Sequence, residues 1–464
     1  MPTSSTFSPG DVVISAVSLL VFALLDLLDF ILCYFYRFLD VILEGNPVPC
    51  YCQRRGRDER SDGEGGEEVS ETLHGRRNLF REMGFPLWKA ASDAEEERGE
   101  LRSPRWSDCS CTSCLSWQER GQNKLHLAVM EPSQDTKQVG RKKESDTDST
   151  ESVVFLHGFL SSSSLWVETV FHNLSEVTKQ SFRMVAVDLL GFGRSPKPTN
   201  CTYTVREHLD MIEASVVRPL ELNSYHIVAH SMGCIIALAM AAKHPESVKS
   251  LTLVAPVSPH ITELNHVFFR VLVMFAVICF DTQPCFDSTE EEASHTALNK
   301  LAERRVWPPF LFGCAVMSWY EHIGRTVCFI FCRNHSTWEW MMKLVTGRRA
   351  LSFLFMDLSK HTHHSAWHTM HNVLCGGAKL VDKHLEALRK AKMPVTVIHG
   401  DKDQLVPLEC SYNLKSKLPH ADLKVMNGRD HSTVILGREK MFTGDLEQIW
   451  SSSSNSTQIP HTHI

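Results

Sequence analysis

The chain has 464 residues, with 48 Lys+Arg against 54 Asp+Glu and a net charge of −6, which excludes the bulk basic excess of a nucleic-acid binder. A mean hydropathy of −0.15 excludes a polytopic membrane protein. Fifteen cysteines, an odd number, leave at least one thiol free, modified or paired between chains.

The first segment departs most from these averages. Val12 to Leu25 carries no charge, and apolar residues continue to Leu43. On a helix the interrupting charges Asp26, Asp29, Arg37, Asp40 and Glu44 fall within an arc of about 80°, with Cys33 among them. One helix with one polar stripe is therefore predicted. Residues 12–44 would reach roughly 50 Å against a hydrocarbon core of roughly 30 Å, so a perpendicular span of the whole run is excluded. A signal sequence with its apolar region at 12–25, a signal-anchor, or a helix lying in the membrane interface remain, with a buried core helix as the bland alternative. Residues 1–11 contain no Lys or Arg, which favours retained anchoring over cleavage.

Cys50 and Cys52 stand between this segment and Arg54-Arg55, the setting of palmitoylated cysteines. From Gln53 to Glu68 ten of sixteen residues are charged and none is apolar, so the stretch reads as a disordered linker. Cys109-Ser-Cys-Thr-Ser-Cys114 invites a metal reading, but no second Cys/His pair stands at zinc-finger distance. The expectation there is disulfides if the chain is secreted and structural thiols if it is not, with no metal.

From Leu125 onward, short apolar runs alternate with helix-like stretches, the pattern of an α/β fold with a mostly parallel sheet and helices on both faces. Strands are predicted at 125–130, 153–156, 183–188, 225–229, 250–255, 395–399 and 422–426. Residues 134–151 read as a polar surface insertion, and the interval from Ser258 to Lys392 as an inserted helical domain, too long for a crossover and too apolar for a loop. The expected organisation is an apolar anchor at 1–52, a linker with the cysteine cluster at 53–114, a body at 115–257 and 393–450, a cap at 258–392 and a polar tail at 451–464.

Four points carry chemistry. Ala229-His230-Ser231-Met232-Gly233 lies between a strand and a helical run, the arrangement of a nucleophile elbow with Ala in place of the first Gly. Phe155-Leu156-His157-Gly158-Phe159 ends another strand; Phe159 N–H and Met232 N–H are the expected oxyanion donors, and His157 in the same loop orients its backbone. After the sixth strand, Asp401 and Asp403 compete as the acid that would hold an imidazole. After the seventh, His431 is placed to reach back as general base. Ser231, then Asp403, then His431 is the chain order of an α/β-hydrolase triad.

These segments, with Asp188-Leu-Leu-Gly-Phe-Gly-Arg-Ser195, His399-Gly-Asp-Lys-Asp403 and Gly428-Arg-Asp-His431, resemble the α/β-hydrolase superfamily over roughly Leu125 to Trp450. In that family the acid usually lies three residues after the glycine, which selects Asp403. The apolar N-terminus, the cysteine cluster and Arg333-Asn-His-Ser-Thr-Trp338 together resemble the BODYGUARD group of plant hydrolases. That resemblance implies a probable lysophospholipase linked to the cuticle, at the cell wall or plasma membrane.

Serine at the elbow implies acyl chemistry with no cofactor. The apolar runs 266–280 and 351–356 of the insertion suit a lipid or long-chain acyl ester as substrate. A transacylase using the same triad, or a ligand receptor retaining the fold, are the alternatives. His364, His368 and His371 share a helical face, read as a cap-facing or surface cluster because no carboxylate or thiol is obviously poised with them. Sequons stand at Asn173, Asn200, Asn334 and Asn455. The arginines after the apolar segment would keep a spanning chain's body cytosolic; the resemblance points instead to the secretory pathway and the plasma membrane or cell wall. Nothing in the pattern sets an oligomeric state.

Overall fold

Seven apolar runs become seven strands, each within two residues of its predicted bounds: β1 Leu127–Met130, β2 Glu151–Leu156, β3 Phe182–Val187, β4 Tyr225–His230, β5 Val248–Val254, β6 Val395–Gly400 and β7 Asp422–Met426. The computed structural model describes residues 9–45, 51, 69–74, 78–83, 105–120, 124–133, 151–257, 319–403 and 405–455. The strands form one sheet in the order β1-β3-β2-β4-β5-β6-β7. β1 runs antiparallel to β3, and every other neighbouring pair is parallel.

Alternation along the strands divides the core between two faces of the sheet. The principal helices are α1 Pro9–Glu44, α2 Thr112–Arg120, α3 Ser164–Thr169, α4 Val205–Ile212, α5 Gly233–Lys243, α6 Glu321–Phe331, α7 His335–Thr346, α8 Phe353–Leu358, α9 His363–Thr369, α10 Ala378–Ala391, α11 Glu409–Lys417 and α12 Glu439–Asn455. Val154, Leu156, Ile227, Ala229 and Leu253 pack with residues of α4, α5 and α10. Val153, Phe155, Val228 and Val254 pack with Trp166 of α3 and Phe442, Leu446 and Trp450 of α12. This is the layered architecture of the α/β-hydrolase fold.

The chain leaves the sheet at Val254 and returns at Val395, yet β5 and β6 pair directly, Leu251 with Val395 and Val254 with Ile398. Whatever is inserted between them leaves the sheet continuous. Its described part, 319–392, is helical, α6 to α10. The apolar run 266–280 lies outside the described residues, as do Cys50, Cys52 and the charged stretch 53–68. The histidines of α9 and the turn after it are packed: His364 Nε2 meets the Cys201 carbonyl at 2.9 Å, His368 Nε2 meets the Tyr51 hydroxyl, and His371 Nδ1 meets Thr72 Oγ1 at 3.0 Å.

α1 is amphipathic in the inverted sense. The stripe Asp26, Asp29, Cys33 and Asp40 is buried, whereas Leu20, Leu24, Ile31, Phe35, Phe38 and Ile42 are more than half exposed. Each buried carboxylate has a partner from the linker or the inserted region. Asp26 accepts from the Tyr320 hydroxyl (2.8 Å) and the Leu79 N–H (3.0 Å). Asp29 faces Arg81 (2.7 Å) and His322 (3.2 Å). Asp40 accepts two bonds from Arg325, at 2.9 and 2.7 Å, with Arg105 and the Trp106 indole each at 2.7 Å. Burial alone would raise the Asp29 and Asp40 carboxyls, but His322 and Arg81 on one and Arg325 and Arg105 on the other hold both below the ordinary range. Among the described residues no helix is long and apolar enough to cross a membrane.

Removing one partner of a buried ion pair strands the other. Asp40→Ala leaves Arg325 buried without its carboxylate and is expected to cost about 3–5 kcal/mol, read as a lower denaturant midpoint. An unchanged midpoint would show that α1 is not part of the folded unit.

Acid should also destabilise the fold. Burial, first of all, lowers the pKa of His157, His208, His230, His364 and His368, with His208 and His364 at about 4 and His230 at about 3. The folded chain keeps these rings neutral while the unfolded chain protonates them near 6.5. Their contribution is therefore complete above about pH 6.5 and lost as pH falls toward 4, at up to about 1.4 kcal/mol per pH unit for each ring. The melting temperature is expected to drop between pH 6.5 and 4.5, and a flat profile across that window would refute this account.

Candidate active site

The site is built where four parallel strands end. β4 is buried at all six positions, and the chain turns at Ser231 with φ +53, a conformation that a non-glycine residue adopts only when its surroundings impose it. Here the Ser231 N–H donates to Val254 O on β5 at 2.9 Å, and the Cys234 N–H donates back to Ser231 O at 3.0 Å. α5 then starts so close to β2 that a Cβ at Gly233 would lie 2.6 Å from His157 O. Glycine at 233 is a packing requirement, whereas Ala229, fully buried, fits with its methyl.

The loop after β2 is pinned through His157. Its Nε2 accepts from the Leu189 N–H at 2.9 Å and its Nδ1 donates to Gly158 O at 2.7 Å, so one neutral ring bridges two loops. Burial lowers its pKa, in keeping with a neutral ring. Phe159 and Met232, whose N–H groups are the predicted oxyanion donors, are both buried, the first in the loop after His157 and the second directly after Ser231.

Of the two competing acids the structure pairs Asp403 with His431, Oδ2 to Nδ1 at 2.7 Å, and both are buried. Asp401 is exposed and accepts from the Gly428 N–H at 2.6 Å instead. The loop that carries His431 lies across the end of β6, where a Cβ at Gly400 would sit 2.2 Å from Arg429 O. The Asp403 carboxylate also accepts from Leu405 N–H (2.8 Å) and Val406 N–H (2.9 Å). Burial would raise this carboxyl; His431 and His399 hold it below the usual carboxylate range.

Ser231 and His431 line one cavity of about 620 Å³, its open mouth included, with Phe159, Leu165, Leu354, Leu358, Leu405 and Ile435. Its walls are mostly apolar beside the hydroxyl and the imidazole. The other predicted positions lie elsewhere. Asn200 and Asn334 are exposed, Asn173 is half-buried with its amide donating to Thr169 O at 2.8 Å, and the side chain of Asn455 lies outside the described residues.

Four residues of the site had no assigned role. His399 Nε2 lies 3.2 Å from Asp403 Oδ2, and His230 packs at a tilt against His431 with ring centroids 4.8 Å apart. Asp188, from the Asp-Leu-Leu-Gly motif, accepts from Ser163 N–H (2.6 Å) and Arg194 N–H (2.8 Å), tying two loops together. Asp357 of α8 lines the cavity and accepts from the Ser162 hydroxyl at 2.6 Å. The first three sit in motifs visible in the sequence; Asp357 has no local signal.

This geometry has close relatives. The alpha/beta hydrolase fold family matches residues 151–437. Probable lysophospholipase BODYGUARD 4 of Arabidopsis thaliana is 44% identical over 96% of this chain and 98% of its own length. BODYGUARD 5 of the same plant, likewise a probable lysophospholipase, is 42% identical over 98% of this chain and 100% of its own. Among solved structures, one from a study of carboxylesterases of the thaumarchaeon Nitrososphaera gargenis aligns with a TM-score of 0.46 at 15% identity, covering 72% of this chain and 96% of that one. On its match across the body and its near full-length identity to these relatives, the chain belongs to the α/β-hydrolase family and, within it, to the BODYGUARD group.

Proposed function

We propose that this hydrolase is a serine esterase of lipid or long-chain acyl esters, of the lysophospholipase class, working through an acyl-enzyme at a membrane face. Ser231 Oγ adds to the ester carbonyl as His431 takes its proton, and Asp403 stabilises the imidazolium that forms. The N–H groups of Phe159 and Met232 receive the oxyanion. His431 then protonates the leaving alcohol, and water resolves the acyl-enzyme by the same route in reverse. The observation that carries this reading is the 2.7 Å His431–Asp403 pair beside a left-handed Ser231 in an apolar cavity. The class of the BODYGUARD relatives, probable lysophospholipase, supports the substrate.

The exposed apolar face of α1 belongs, in this reading, to a lipid surface, with the polar stripe held by the protein and the helix lying in the interface. The setting is the secretory pathway, with the body at the plasma membrane or cell wall, as the resemblance to cuticle-linked hydrolases implies.

Over a series of acyl esters of increasing chain length, turnover by the wild type should rise with chain length. Ser231→Ala should lower kcat by at least about 10³-fold with little change in folding. Retained turnover in that variant would defeat the mechanism, and product that appears only with an added acceptor alcohol would make the enzyme a transacylase.

Flotation with phosphatidylcholine vesicles tests the helix. Wild type should float with the vesicles, and Leu24→Glu/Phe38→Glu, both on the exposed face, should remain in the dense fraction with soluble-ester activity intact. Concentration-dependent dimers that the double variant abolishes, without flotation of the wild type, would assign the face to a second copy.

A further inference from the structure

We propose that Cys109, Cys111, Cys114 and His335 form a structural zinc site that fastens the segment preceding the body to α7. The fourth donor that sequence spacing lacks is supplied by the fold, from a residue 221 positions beyond Cys114. The three sulfurs and one imidazole nitrogen all lie within 4.8 Å of one another.

Three features point to an ion rather than to a chance gathering of thiols. The first is spacing. His335 Nε2 is 3.5 Å from Cys111 Sγ and 3.5 Å from Cys114 Sγ. In a tetrahedron with Zn–S of about 2.3 Å and Zn–N of about 2.0–2.1 Å, sulfur and nitrogen stand about 3.5–3.6 Å apart. The second is the outer shell. His335 Nδ1 donates to Glu339 Oε1 at 2.9 Å, one helical turn on, which turns Nε2 toward the sulfurs and makes the ring a better ligand. The third is the backbone. Cys111 N–H points at Cys109 Sγ (3.4 Å) and Cys114 N–H at Cys111 Sγ (3.5 Å), donors that offset the charge of bound thiolates.

Soft thiolates with one imidazole in tetrahedral array select zinc among the common divalent ions. Four protein donors leave no open position, so the ion's role is structural. A disulfide satisfies the same residues less well, because it uses two of the three thiols and leaves His335 facing the third. Among the described residues the neighbouring trio Cys328, Cys332 and His361, with sulfur–nitrogen distances of 3.7 and 3.4 Å, gathers three donor atoms rather than four.

Zinc content of the full-length protein, purified under reducing conditions without chelator, tests the site. Wild type is expected to hold at least about one zinc per chain, and Cys114→Ser and His335→Ala each about one fewer, whereas His335→Cys, which restores a fourth donor, keeps it. The readout is a difference from wild type, so metal at the neighbouring trio cancels. Should the depleted variants fail to fold, cobalt loading of the wild type decides: thiolate-to-cobalt charge transfer with intense tetrahedral d–d bands, and protection of Cys109, Cys111 and Cys114 from alkylation, support the site. Zinc content unchanged across all variants overturns it. So does a wild type that binds neither metal, whether peptide mapping finds these cysteines free or in a disulfide.

Discussion

The pairing of β5 with β6 is the constraint on which the rest of this molecule depends. The two strands are separated by residues 255–394, yet Leu251 lies against Val395 and the Ala255 N–H donates to Ile398 O at 2.9 Å. Because these strands are parallel, their carboxyl ends fall on one side, and the loops after β2, β4, β6 and β7 converge there. Ser231 is tied to β5 through Val254 O, while Asp403 follows β6 and His431 follows β7. Losing the β5–β6 register would separate the hydroxyl from the imidazole and its acid even with every loop intact. So non-local a pairing also makes the sheet slow to complete, since loop closure precedes the contacts that reward it.

A second constraint operates at the N-terminal helix. Burying Asp29 and Asp40 in an apolar environment would be prohibitive alone, and both are placed against cationic partners from three different segments, 78–83, 105–108 and α6. The polar stripe that interrupts the apolar run is thus the contact surface with α6 and with the segments at 78–83 and 105–108. What faces outward is Leu, Ile and Phe. A soluble helix would present the opposite arrangement.

Local chemistry was legible in the sequence, and long-range chemistry was not. All seven strands could be read because short apolar runs and their bounding turn residues are properties of short windows. Ser231 and His431 could be named because each follows a strand end with its own small-residue punctuation, while the choice of Asp403 over Asp401 came from the family resemblance; the structure gathers all three at one end of the sheet. The direction in which the α1 stripe faces, by contrast, depends on Arg105 and Arg325, far apart in the chain. Asp357 reaches the cavity only because α8 packs over α3 through Ser162. His335 was seen as part of a resemblance and given no role; its place beside three cysteines follows from where α7 docks.

Most of these long-range contacts involve α6 to α8. α6 is held to α1 by Arg325 and His322, and it is preceded by Tyr320, which is bonded to Asp26. Arg325 also meets Ser107, two residues before Cys109, so the segment that carries the cysteine cluster is anchored to the same arginine. α7 follows α6 after three residues, and α8 brings Leu354, Asp357 and Leu358 to the cavity that Ser231 lines. The helix with the apolar outer face is therefore joined to α6 through buried charges, while α8 is seated at the cavity by its own contact with Ser162. Buried ion pairs resist sliding because a partial displacement strands a charge without water. A displacement of α1 would therefore be resisted at α6 and at the segment that carries the cysteine cluster.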